Sequence, residues 1–288
     1  MSALVALVAS PQLLQLSGLG PGALLQQHGI EVVRDMQAVG SNLHDHFATY
    51  VAWRCTQPVT MNDLTLSLPR RLMAAAQYAF GRTGPLASMG LFVGALVRSD
   101  KRLERPDLQL NISCWSTVER TRDGIISHPH PGISISPVHL NPDGRGHVRL
   151  KSANPADKPA IQPNYLSDPN DIAVLLAGTK FTREIFAQSA ISQHSVVETL
   201  PGPDVRTDDQ LAQYFRDFGS TIYHPVGTCR MGEGPAAVVD PRLRVHGIEG
   251  LRVADASIMP TLTTGNTNAP TIMIGEKCAA MIKEDAAA

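Results

Sequence analysis

Between Ser220 and Gly232 the chain reads Ser-Thr-Ile-Tyr-His-Pro-Val-Gly-Thr-Cys-Arg-Met-Gly, which sets His224 among β-branched and glycine residues. Histidine titrates near neutral pH, so a ring fixed beside a substrate hydroxyl can take its proton as an alcohol is oxidised. The same composition suits an ordinary hydrogen-bonded histidine, and residue type alone does not separate the two. A second segment, from Gly250 to Lys277, runs through an apolar stretch to a carboxylate, Asp255, and then a polar loop. The loop leads into a helix expected to begin near Asn268, with Pro270 in its first turn. The positive end of such a helix, with its unpaired N–H groups, suits an anionic group or a ring that becomes anionic on reduction. Asn266, Thr267 and Asn268 would serve equally as plain helix caps.

Other candidates are weaker. Ser127-His-Pro-His-Pro-Gly132 places two histidines on one side of an extended segment, but the intervening proline and the want of a third ligand argue against a metal. His44 and His46 flank Asp45, an arrangement that fits either an acid–base pair or a structural loop. Cys55, Cys114, Cys229 and Cys278 show no C-x-x-C spacing, which disfavours a zinc site or a disulfide framework and suits a reducing, cytoplasmic setting. No G-x-S-x-G elbow is present to raise a nucleophilic serine, so hydrolysis is disfavoured and a serine-reactive phosphonate should leave the chain unlabelled.

The elements that must position these residues follow from pattern. The chain has 288 residues with 25 basic against 26 acidic side chains, enough length for a substantial core and no charge footprint for nucleic acid or an anionic membrane. A small molecule is the expected partner. The apolar run 3–9 lacks a basic flank and is too short to span a bilayer, so it reads as a buried strand rather than a targeting signal. Ser10-Pro11 then opens a helix, and a second short helix covers 23–28. Strands are expected at 30–33, 48–55, 108–112, 132–136 and 250–254, and a hairpin pairs 138–141 with 147–150 through Pro142 and Gly146. Helices are expected at 68–80, 172–188, 208–218 and 269–283.

The two chemical segments together resemble the C-terminal part of the glucose-methanol-choline (GMC) flavoprotein oxidoreductases. The resemblance rests on Tyr223-His-Pro-Val-Gly-Thr-Cys-Arg-Met-Gly232, Val253-Ala-Asp-Ala-Ser-Ile-Met-Pro260 and Gly265-Asn-Thr-Asn-Ala-Pro-Thr-Ile-Met-Ile-Gly-Glu-Lys277. It extends upstream through Gly146-His-Val-Arg-Leu-Lys-Ser152, Pro163-Asn-Tyr-Leu166, Ser41-Asn-Leu-His-Asp-His46 and Ser10-Pro-Gln-Leu-Leu-Gln-Leu-Ser-Gly-Leu-Gly20, and is greatest to choline-dehydrogenase-like bacterial members. It implies FAD as cofactor, an alcohol substrate oxidised to an aldehyde or ketone, His224 as base and Asn266 as donor to the developing alkoxide, with hydride passing to flavin N5. Asp255 and Ala256 fall where the family contacts the ribityl and pyrophosphate part of FAD. Asn268, Ala269, Pro270 and Thr271 fall at the helix start that approaches the pyrimidine end of the ring. The electron acceptor stays open among quinone, dye and oxygen. So does the choice between a cytoplasmic and a membrane-peripheral location. Trp53, Phe92 and Trp115 are pocket candidates whose orientation the sequence does not fix. The loop holding His44 and His46 lies near the edge of the family's flavin domain, which implies a structural role.

The departure is at the front. Members of the family are roughly twice as long and open with a strand, a G-x-G-x-x-G turn and a helix for the ADP half of FAD. This chain has no strict G-x-G-x-x-G; the looser Gly18-Leu-Gly-Pro-Gly-Ala23 and Gly232-Glu-Gly-Pro-Ala-Ala237 read as turns. Ala6 and Leu7 stand where the family signature has a glycine and a small residue. The expectation is therefore a truncated, C-terminal half with weak or absent FAD binding on its own, which sub-micromolar binding in a flavin-fluorescence titration would contradict. A non-catalytic remnant and one subunit of a split flavoenzyme, completed by a missing N-terminal half, are the alternatives. The expected fold class is α+β: a partial FAD-binding layer from 1–45, a substrate-binding domain with antiparallel sheet over 46–219, and a catalytic and flavin-contacting segment over 220–288.

Overall fold

In the computed structural model of the protein, which describes residues 3–58, 60–87, 91–121 and 124–287, the apolar opening run is helical. Helix α1 (Ala3–Leu16), with Pro11 inside it, stands where a strand was expected at 3–9. A short apolar run does not by itself distinguish buried strand from buried helix, and its alanines and leucines, which lose little rotamer freedom in a helix, favour the latter. The side chains of 3–7, 91, 92, 119–121, 124, 125 and 196 lie outside the described part, and with them those of Ala6, Leu7 and Phe92.

After α1 come β1 (Leu19–Gly20), α2 (Gly22–Gln27), β2 (Arg34–Asp35), β3 (Val51–Cys55), α3 (Met61–Leu66), α4 (Leu68–Gly81), β4 (Leu91–Val97) and β5 (Leu108–Ser113). Then follow β6 (Gly132–His139), β7 (His147–Arg149), β8 (Ala160–Gln162), α5 (Pro169–Ala187), β9 (Ser195–Leu200), α6 (Asp208–Phe218) and α7 (Asn268–Ala287). The chain is thus mixed α and β with antiparallel sheet, and it forms two compact units. One comprises Met1–Phe47, Leu140–Asp171 and Thr221–Ala288; the other comprises Ala48–His139 and Ile172–Ser220.

The second unit is built on antiparallel strands in the order β9-β3-β6-β5-β4. Alternate residues of three of them, Val51 and Trp53, Leu108 and Leu110, and Ile135, share one core with Val174 and Phe186 of α5. Period-two alternation is what places these side chains on a common face. Trp53 stacks on Phe186 with ring centroids 3.7 Å apart, which commits it to the core, and Trp115 Nε1 donates to Ser127 Oγ at 2.9 Å. β6 pairs with β3 along 132–135 and with β5 along 134–139, and the hairpin expected between 138–141 and 147–150 does not form; β7 pairs with β8 instead. Helix α6 begins at a capping box in which Thr207 Oγ1 accepts from Gln210 N and the Gln210 side chain accepts from Thr207 N, and it buries Leu211, Tyr214 and Phe215.

The first unit packs Leu14 of α1 and Ile274 and Cys278 of α7 against Val226, Val239 and Ile258. Gln15, fully buried, donates to Val148 O and accepts from Leu150 N, both at 3.0 Å, so its amide ties α1 inward without leaving a polar atom unmet. Two expected strands are reduced here. Gly18, at φ 81° and with Glu31 O where a Cβ would sit, turns the chain so that parallel pairing starts only at Leu19 and reaches Arg34–Asp35 rather than 30–33. The strand expected at 250–254 is a single bridge, Arg244 to Arg252, because the turn through Gly247 and Gly250, both at positive φ, leaves room for one. No described helix is long and apolar enough to cross a membrane.

Candidate active site

His224 sits on a loop held in place by the 41–46 segment. The two run antiparallel: His44 N donates to Val226 O at 3.0 Å, Val226 N to His44 O at 2.8 Å, and Ile222 N to His46 O at 3.2 Å. Asp45 is the fastening point. Its carboxylate accepts from Tyr165 OH and Thr221 Oγ1, each at 2.5 Å, and from His224 N at 2.9 Å. Burial outweighs these bonds and holds the carboxyl above its usual range. The backbone between its two grips is forced: Tyr223 is left-handed at φ 65°, with its side chain exposed, while Gly227 takes φ 97° where a Cβ would meet Asn42 O at 2.4 Å.

The imidazole of His224 is half-buried, and burial lowers its pKa by favouring the neutral ring. Its Nδ1 lies 3.0 Å from Nδ1 of His46, the rings meeting edge to face at 82°. His46 is fully buried, and its Nε2 is 3.1 Å from Leu140 O. Reading the sequence did not single out His46 for this place; the one signal was its position in a His-Asp-His run, which says nothing of a partner 178 positions away.

Asp255 caps the short turn Ala256–Ile258, accepting from Ser257 N at 2.7 Å and from Ser10 Oγ at 2.5 Å. The His224 loop is laced to that turn through Gly227 N to Ala256 O at 3.4 Å, Cys229 N to Ser257 O at 2.9 Å and Met231 N to Ile258 O at 2.7 Å. Ala256 is fully buried, and its carbonyl accepts from Gly227 N and Met259 N, so it serves the frame of the site rather than its surface. His224, Asp255 and Ala256 therefore belong to one hydrogen-bonded frame. Asn266 is exposed and lies in the loop that leads to α7; among the described residues no hydrogen bond joins it to His224. Asn268 and Ala269 are exposed, Pro270 and Thr271 half-buried, and Thr267 is buried beneath them, with its carbonyl accepting from Thr271 Oγ1 at 2.6 Å.

His128 and His130 stack with centroids 4.8 Å apart, but His128 Nδ1 is engaged by Ser116 Oγ and His130 Nδ1 by Pro131 O. Among the described residues no group of three or more His, Cys, Asp or Glu is placed to hold a metal ion.

Residues 142–275 match the family model described as GMC oxidoreductase. An alcohol dehydrogenase [acceptor] from Pseudomonas putida is 44% identical over 275 residues, covering 96% of this chain and 49% of that protein. An oxygen-dependent choline dehydrogenase from Brucella melitensis is 41% identical, covering 96% of this chain and 50% of that protein. Among solved structures, formate oxidase of Aspergillus oryzae, in work on its FAD modification, superposes with a TM-score of 0.90 at 28% identity, over 97% of this chain and 53% of that one. Pyridoxine 4-oxidase superposes with a TM-score of 0.82 at 26% identity, over 97% of this chain and 50% of that one. The chain spans about half the length of the relatives it matches. Family model, relatives and fold agree: residues 142–275 carry a GMC oxidoreductase C-terminal domain, and the chain as a whole is similar to about half of each of these proteins.

Proposed function

We propose that this chain carries the proton-accepting half of an FAD-dependent alcohol-oxidising site, with His224 as the base. The observation that carries the reading is a half-buried imidazole on a loop fixed by backbone hydrogen bonds to the turn of Asp255 and Ala256. Bound FAD would supply the hydride acceptor for the carbinol carbon at N5 of its ring. The residues present fit such a group. The first-turn N–H groups of a helix have no intrahelical acceptors, and here they belong to exposed Asn268 and Ala269, with the apolar Ile272 and Met273 exposed one turn on. Small side chains, first-turn donors and apolar surface suit the flat ring and polar edge of a flavin, and Asp255 is the polar group for its ribityl and pyrophosphate part.

His224 takes the hydroxyl proton as the carbon–oxygen bond becomes a carbonyl, and Asn266 donates a hydrogen bond to the oxygen while it is negative. The substrate is a small-molecule alcohol. The acceptor that reoxidises the flavin is oxygen or another oxidant, since an acceptor-dependent relative is 44% identical and an oxygen-dependent one 41%. In the FAD-loaded protein, His224→Ala should slow anaerobic flavin reduction by an alcohol roughly 10²- to 10⁴-fold while leaving the bound-flavin absorbance in place. A rate within a few-fold of the parent would remove His224 from the role.

A further inference from the structure

The geometry points to His46 as a positioning residue that fixes the tautomer of His224, keeping the proton on His224 Nδ1 and the lone pair on Nε2. A backbone carbonyl only accepts, so the 3.1 Å contact between His46 Nε2 and Leu140 O requires the proton of His46 on Nε2. His46 is fully buried, where a neutral ring costs far less than an imidazolium, so its Nδ1 carries a lone pair. Two Nδ1 atoms 3.0 Å apart share one proton, and with His46 accepting, His224 must donate. A neutral imidazole holding its proton on Nδ1 has Nε2 unprotonated, which is the form able to receive a proton from a ligand. An imidazole in water prefers the other tautomer, with the proton on Nε2, which would meet a hydroxyl as donor rather than base. The edge-to-face setting of the rings, at 82°, is consistent with an in-plane bond from one nitrogen to the other.

The inference rests on the proposed role of His224, yet its direct test needs neither FAD nor substrate. In histidine-¹⁵N-labelled full chain, long-range ¹⁵N–¹H correlations above the histidine titration range identify which ring nitrogen is protonated, with the His224 signals assigned by their loss in His224→Ala. The expected result is a protonated Nδ1 and a bare Nε2 for His224. Finding the proton on Nε2 in the unaltered chain overturns the proposal outright, whatever any variant does. His46→Leu should return His224 to the Nε2-protonated form, whereas His46→Asn, which can present its Oδ1 to His224 Nδ1–H, should preserve the Nδ1-protonated form. An unchanged tautomer in a folded His46→Leu would also overturn it. In the FAD-loaded protein, His46→Leu should lower kcat roughly tenfold or more with KM little changed, and His46→Asn should recover most of that loss. If His224→Ala proves fully active while the tautomer is as stated, the role of His224 fails and the hydrogen-bond assignment stands.

Discussion

At the scale of single residues, the site is held by side chains whose importance lies in distant partners. Asp45 binds Thr221 and His224, 176 and 179 positions away, and Tyr165, 120 away. None of that is visible in the run Ser41 to His46, whose small and polar residues read as a loop between strands; spacing reveals periodic faces and caps, not which loop will lie against which. His224 stands out in the sequence because its neighbours form a motif, and His46 does not, because it meets His224 only through the fold. Asp45→Ala should strip four donors of a buried acceptor and destabilise the chain by about 2–3 kcal/mol in urea unfolding, since an unmet buried polar group costs more than the bond it loses. Thr221→Val, which removes one donor and leaves the carboxylate Tyr165 and the backbone of His224 and His46, should cost only about 1 kcal/mol.

At the scale of elements, what was legible is what local chemistry specifies. Helix α6 coincides with the expected 208–218 because Thr207 and Gln210 write a capping box ahead of an amphipathic repeat. The strands at 108–113 and 132–139 announce themselves by alternation. The opening run, the 250–254 segment and the supposed hairpin were not legible, since an apolar run does not choose between helix and strand, and pairing partners are set by which sheet edges stay free. The loop of His224 depends on a conformation as much as on contacts. Gly227→Ala would place a methyl group 2.4 Å from Asn42 O at φ 97° and should destabilise by roughly 2 kcal/mol or more, with loss of flavin reduction. Gly234→Ala, also left-handed at φ 78° but with open space around the new Cβ, should cost only about 1–2 kcal/mol and leave the site working. Equal effects at the two positions would show that backbone angle, not the close approach of the two loops, sets the cost.

At the scale of the whole molecule, stability should fall on the acid side of neutrality. Burial, with Arg145 and Arg230 nearby, pulls His44 from its ordinary 6.5 down to about 3, and His128, His147 and His224 are lowered as well. A lowered folded pKa means that the unfolded chain binds the proton first. The stability present above pH 6.5 is therefore lost progressively as pH falls from there toward 3, by up to about 1.4 kcal/mol per pH unit for a single such group. Asp45 works in the opposite sense: its raised carboxyl favours the folded state at acid pH, and that contribution fades as pH rises through its folded value. Urea midpoints followed from pH 8 to 4 should show the acid loss, and His44→Asn should flatten it; an unchanged slope would assign the proton uptake elsewhere. The division of the chain also bears on how it is made. The unit built on the sheet is complete in sequence at Ser220, whereas the unit holding His224 gathers three separated stretches and needs α7 to fill its core. During synthesis the first can close once Ser220 has emerged, while the second still waits for α7, so the 41–46 loop meets its partners in the 221–231 stretch only after the sheet unit is complete. A protease added to nascent chains should therefore spare 48–220 before it spares the 41–46 loop.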